Sequence, residues 1–134
     1  DEDEREVMER HTVDGAEILS RIPDLRDVLP GVRSHHERLD GKGYPDGLHA
    51  EDIPLPARII AVADTYDAMT SSRPYRNALP HEVAVAEIRE GAGSQFCPQV
   101  VAAFESLVMR DALTVASGQE LLEALIAGAV RQAP

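Results

Sequence analysis

A chain of 134 residues has the length of one ordinary domain, and its formal charge of −11 at neutral pH repels polyanions, which argues against binding along a nucleic-acid backbone. Its single cysteine, Cys97, rules out an intrachain disulfide and fits a cytoplasmic location, and no apolar run approaches the roughly 20 residues that span a bilayer. A small anion could still bind, but only at a local cluster of cations or metal.

Residues 2–20 lack an early Gly or Pro, and Val7, Met8, His11, Ile18 and Leu19 can share one helical side. Gly15 marks a break, so the pattern predicts two short helices with His11 near their junction. Pro23 and Pro30 leave room between them for one short turn around Leu25 to Val28. Pro30 then suits the first turn of a helix running to about Glu37, with His35 and His36 near its C-terminal end. Residues 39–54 contain Gly41, Gly43, Pro45, Gly47 and Pro54, too many breakers for a regular element, and a loop of that length in a compact domain is often functional.

From Pro56 the run PARIIAVADTYDAMTSS predicts a helix, apolar nearly all round and therefore central and buried. Further helices are expected at about 80–91, 98–111 and 118–131, the last with Leu121, Leu122, Leu125, Ile126, Ala129 and Val130 on one face. No period-two pattern occurs, so the fold class is all-α, a helical bundle.

Asp64 stands inside the apolar helix, where a carboxylate is costly unless it is paired or binds a metal. Asp67 and Ser71 extend it into a polar stripe, which on an amphipathic helix would also read as an ordinary solvent face. His35 and His36, as helix neighbours, project about 100° apart, which is awkward for one shared ion and suits two neighbouring ions, or one ligand with a supporting group. His11 alone reads as an ordinary satisfied side chain. Taken with a buried aspartate, the histidine pair points to a metal site. Imidazole and carboxylate donors suit Fe, Mn or Zn, and two such ions would clamp and activate a water for attack on phosphorus.

The run His36, Glu37 to Asp40 is not a zincin, whose motif needs a second histidine at position 40. Arg73 and Arg76 flank Pro74 and Tyr75 just beyond the long helix and suit phosphate oxygens, although alone they would read as solvated surface arginines.

The runs HHERLDGKGYPDGL, IPLPARIIAVADTYDAMTSSRPYR and FCPQVVAAF together resemble the HD-GYP domain, over about residues 5–104. That domain is the bacterial branch of the HD metal-dependent phosphohydrolases that hydrolyses cyclic di-GMP to linear pGpG and, in some members, on to GMP. The resemblance implies a helical bundle of the HD phosphohydrolase type holding two or three divalent ions, Fe or Mn first and Zn, Ni or Mg as alternatives. It implies metal ligands at His11, His35, His36 and Asp64, substrate contacts from Arg73, Arg76 and Tyr44, and catalytic roles for Asp64 and Asp67. Gly43, Tyr44 and Pro45 would form the name-giving loop. As partners it implies a cyclic dinucleotide. An upstream receiver or sensor domain of the response-regulator kind, a diguanylate cyclase (GGDEF) domain meeting the GYP loop, and a second copy of the chain are further candidates. DNA is not among them, nor is a membrane within this chain.

The chain also departs from the pattern. The eponymous His-Asp pair, with its lysine, belongs upstream of His11, but no His precedes an Asp anywhere here and the sole lysine is Lys42. The expected division is a partial HD-GYP domain over 1–110 and a helical extension over 111–134, packed on the domain or a partner. A fragment of a longer protein is favoured over a degenerate one, and the isolated chain is expected to be inactive. The alternatives are a catalytically inactive module acting through protein contacts or nucleotide binding, and a phosphohydrolase for another cyclic dinucleotide. Arg76 replaces the family's usual lysine, and Cys97 replaces an aspartate, where only a local capping effect is expected.

Overall fold

The N-terminal segment forms one helix, α1 (Glu2–Ser20), in a computed structural model that describes residues 2–110 and Ile126. The two short helices expected around Gly15 are therefore a single one. Gly15 costs a helix about 1 kcal/mol relative to Ala, but it lies where α1 passes the next helix, and a Cβ there would touch Val32 Cγ1 at 3.4 Å. Tertiary packing at this point overrides propensity. The packed side of α1 also differs from the expected one, since Val7, Met8 and Ile18 are exposed and Thr12 is fully buried.

Pro23 opens a 3-10 turn over Pro23–Val28, and α2 (Leu29–Ser34) follows with Pro30 in its first turn. This helix stops at Ser34, short of the expected Glu37, so His35 is its cap and His36 lies beyond it. The glycine-rich segment is a loop as expected, with one 3-10 turn at Ala50–Asp52 and an isolated antiparallel bridge between Asp40 and His49. Then come α3 (Leu55–Thr70), α4 (His81–Glu90) and α5 (Pro98–Met109), with a proline in the first turn of α3 and of α5. No strand forms among the described residues, and the architecture is all-α. The helix expected at 118–131 and the extension over 111–134 lie outside the described residues, apart from exposed Ile126.

The core joins Ile59, Val62, Ala63 and Tyr66 of α3 to Ile88 of α4 and to Val100, Val101 and Phe104 of α5. Phe104 is fully buried, and truncating such a side chain to Ala costs roughly 3–5 kcal/mol. Tyr66 adds a polar tie, sharing a 2.8 Å hydrogen bond between its hydroxyl and His81 Nδ1. On the other side α2 lies close on the start of α3, where a Cβ at Gly31 would meet Pro56 and Ile60 at 3.1 Å.

Helix α3 is thus central, but it is not covered all round. Its first turns lie between α2 and the core, whereas Asp64 stands on the arc opposite Val62, Ala63 and Tyr66 and is exposed. The expectation of a buried aspartate is corrected accordingly: counting apolar residues along a helix does not tell which side of it is packed.

Cys97 is the N-cap of α5, and its buried thiol makes no capping hydrogen bond. Arg58 Nη1 lies 4.0 Å from the sulfur, and Arg58 Nε donates to the Ile53 carbonyl at 2.6 Å. A carboxylate at this position would reach both the orphan N–H groups of the first turn and the Arg58 charge. We expect Cys97→Asp to stabilise the fold by about 1 kcal/mol, the usual value of an N-cap, seen as a rise in Tm. A fall in Tm would mean that the apolar contacts of the thiol outweigh the cap.

Candidate metal centre

Three histidines meet at one end of the bundle. His11 comes from the middle of α1, His35 from the C-cap of α2, and His36 from the first residue after it. The rings of His35 and His36 lie 4.2 Å apart between centroids, and His11 meets them edge-on at 5.5 and 5.0 Å. One ligand nitrogen from each lies within 4.8 Å of the others, close enough to hold a metal ion. His35 and His36 thus share one cluster with His11, although neighbours on a continuing helix would project about 100° apart; α2 ends at Ser34, before the pair.

Backbone carbonyls set the tautomers of two rings. His35 Nδ1 lies 2.7 Å from the Val32 carbonyl, and His11 Nδ1 contacts the Met8 carbonyl. A carbonyl can only accept, so each Nδ1 carries a proton, and in the neutral ring it is Nε2 that offers a lone pair to a ligand. His36 is held differently, with Tyr44 stacked on it at 4.9 Å and an interplanar angle of 27°. Burial, then the charge of His35, lowers the His36 pKa to about 4, with His11 adding to the effect and Asp64 opposing it. At neutral pH His36 is therefore unprotonated, and metal binding need displace no proton from it. Burial, followed by the charges of Glu9 and Asp64, raises the pKa of Tyr44 and keeps its phenol neutral.

The Tyr44 loop is folded back on the histidines by Glu37. Its buried carboxylate accepts hydrogen bonds from the backbone N–H groups of Asp46 at 2.6 Å and Leu48 at 2.9 Å. Tyr44 N–H donates to the His36 carbonyl at 3.2 Å. Gly43 sits so tightly here that a Cβ would come within 2.5 Å of Arg38 N, Glu37 Cα and His36 O, all backbone atoms that cannot step aside. Two arginine forks brace the loop, Arg33 on Asp46 at 2.9 and 2.8 Å and Arg38 on Asp40 at 3.0 and 2.7 Å. The Arg38 fork, aided by the Lys42 backbone and charge, holds the Asp40 pKa down to about 2.

Beside the rings lies a cavity of about 340 Å³ whose lining includes His35, His36, Tyr44, Arg5, Arg38 and Lys42. Asp64 lies near enough for its charge to act on His36 and Tyr44, but it is not among the residues whose ligand atoms converge. Asp67, one turn further along α3, accepts a 3.4 Å hydrogen bond from the Ser71 hydroxyl. Arg73 and Arg76 form a tight exposed turn, joined by N–H to carbonyl bonds of 2.8 and 3.0 Å, and do not line the cavity. The Arg76 guanidinium donates to the Ala68 carbonyl near the end of α3. Sequence reasoning thus singled out three side chains that meet and a fourth that acts at a distance, while Arg73 and Arg76 stand apart. It missed Glu37, Arg38 and Lys42 as site residues, although all three lie in the run SHHERLDGKGYPDGL.

This geometry defines the class. The family described as HD domain matches residues 1–100, and the chain belongs to it. Its motifs are those of the HD-GYP type, and its relatives bear this out. Over 107 residues it is 47% identical to a cyclic di-GMP phosphodiesterase of Thermotoga maritima, a match covering 78% of this chain and 29% of that protein. It is 48% identical over 103 residues to the cyclic di-GMP phosphodiesterase response regulator RpfG of Xanthomonas campestris, covering 75% of this chain and 27% of the relative. It is 35% identical over 105 residues to a 3'3'-cGAMP-specific phosphodiesterase of Vibrio cholerae, covering 78% and 23%. The chain therefore spans about a quarter of the length of these relatives.

Proposed function

We propose that this chain supplies the C-terminal part of a metal-dependent phosphodiesterase site that hydrolyses cyclic di-GMP to pGpG, with GMP as a further product. The observation that carries this reading is the convergence of three imidazoles, two of them oriented through Nδ1 by backbone carbonyls. Such a donor set fits a divalent transition ion. Imidazoles suit Fe, Zn or Ni; Mn would draw more on the Asp64 carboxylate, and Mg, which takes oxygen donors, fits least. We place Fe or Mn first, in a centre of two or three ions.

In this reading His11, His35 and His36 hold metal and Asp64 is the carboxylate available to complete the set. When bound, the ions supply Lewis-acid activation of water and of the phosphodiester. Tyr44 packs on His36 and fixes one wall of the cavity. Asp67 near the end of α3 is a proposed catalytic residue, and Arg73 and Arg76, on the exposed turn beyond it, are proposed substrate contacts. A receiver or sensor domain upstream, a GGDEF domain on the GYP loop and a second copy of the chain are the proposed partners, in the cytoplasm. No helix among the described residues is long and apolar enough to cross a membrane.

Elemental analysis after anaerobic purification tests the reading, on this chain and on a form extended upstream. We expect two or more ions in the extended form, lost in His36→Ala, less metal in the chain alone, and hydrolysis of cyclic di-GMP by the extended form only. Absence of metal from both forms would overturn the reading in favour of an inactive module.

A further inference from the structure

Although the chain carries a formal charge of −11, the cavity beside the histidines is lined by three cations, Arg5, Arg38 and Lys42. Two of them are engaged by carboxylates. Arg5 donates from Nε to Glu9 Oε1 at 2.7 Å, and Arg38 forms its two-pronged pair with Asp40. Arg73 and Arg76 stand on their exposed turn outside the lining.

Lys42 differs from all of these. Its ammonium makes no ion pair among the described residues, and Asp40, whose charge it feels, has both oxygens turned to Arg38. Its backbone is nevertheless fixed: Lys42 N–H donates to Asp40 Oδ1 at 3.1 Å, Gly43 presses on the 36–38 backbone, and Tyr44 stacks on His36. A rooted backbone carrying an exposed, flexible stem places a strongly hydrated point charge at the mouth of the cavity, the form of cation suited to a phosphate oxygen.

We propose that Lys42 is a substrate-binding residue whose ammonium contacts a phosphate oxygen of the cyclic dinucleotide lying beside His35 and His36. This rests on the cyclic dinucleotide reading above and adds to it the group that recognises the phosphate. A point charge on phosphate reads no base, so this contact serves cyclic di-GMP and cyclic GMP-AMP alike.

Lys42 is the sole lysine, which makes the test direct. Reductive methylation with isotope-labelled formaldehyde keeps its charge and gives it NMR-visible methyl groups, distinguishable from those on the terminal amine by the Lys42→Gln spectrum. Cyclic di-GMP titrated into the labelled chain should move the Lys42 methyl signals and the His35 and His36 imidazole signals along one saturating curve, flattened by added salt. In the unlabelled chain Lys42→Gln should weaken the affinity read from the imidazoles by about tenfold, the size of one charge-assisted hydrogen bond, and Lys42→Arg should largely restore it. Imidazole signals that move while Lys42 stays still, with unchanged affinity in Lys42→Gln, would overturn this inference alone. Signals that do not move at all would overturn this inference for the chain, while hydrolysis by the extended form decides the cyclic dinucleotide reading separately.

Discussion

Glu37→Ala should release the 43–48 loop and cost about 3 kcal/mol, since two hydrogen bonds to a buried carboxylate are lost at roughly 1.5–3 kcal/mol each and part of the loss is recovered by water. The two amides left behind, Asp46 N–H and Leu48 N–H, have no other acceptor among the described residues, so the loop opens to solvate them. Arg33 still holds Asp46 from outside, which limits the damage to the loop and spares the α3, α4 and α5 core. Hydrogen exchange should show lost protection at residues 43–48 and retained protection in α3 and α5, with a lowered Tm. Glu37→Gln should fall between, because its amide keeps one acceptor and turns a donor toward the second N–H. Gly43→Ala offers an independent route to the same state, by a clash with backbone rather than the loss of a bond. Unchanged protection of the loop in Glu37→Ala would show that the arginine forks, not Glu37, hold it.

The residues that were legible in the sequence are those whose effect is local. Pro23, Pro30, Pro56 and Pro98 each sit at the start of a helical element, as their fixed φ and missing N–H require, and the density of glycine and proline between 39 and 54 fixed the long loop. The misreadings share a different cause. Gly15 is a weak helix former in isolation, but contact with α2 carries α1 through it. The helical-wheel argument for His35 and His36 presumed that the helix continued, whereas it ends at Ser34, and nothing in LPGVRSHHE marks that end. Asp64 is exposed because the core takes the Val62, Ala63 and Tyr66 side of α3. Glu37 could be set aside as part of a failed zincin motif, but its partners lie 9 and 11 residues away across a folded-back loop. Such contacts belong to tertiary structure and leave no periodic trace.

Metal affinity is where the three histidines should separate from their surroundings. Cobalt(II) titrated into the chain should give an absorption spectrum reporting imidazole coordination, and His35→Ala or His36→Ala should weaken binding by more than the roughly 10–100-fold that loss of an outer supporting group costs. The argument is one of preorganisation. Val32 and Met8 carbonyls already orient two rings through Nδ1, and burial keeps His36 neutral at pH 7, so little ordering and no proton release from His36 oppose the ion. Tyr44→Phe keeps the stacked ring and should leave cobalt affinity within about threefold, since a phenol that is not a ligand contributes only indirectly. Asp64→Asn should behave differently on the two forms of the protein. In this chain, where the carboxylate lies outside the converging donors, the effect should be small; in an upstream-extended form, where the proposal completes the set with Asp64, it should match a histidine loss. Equal, small effects in both forms would remove Asp64 from the centre and leave the metal to the histidines.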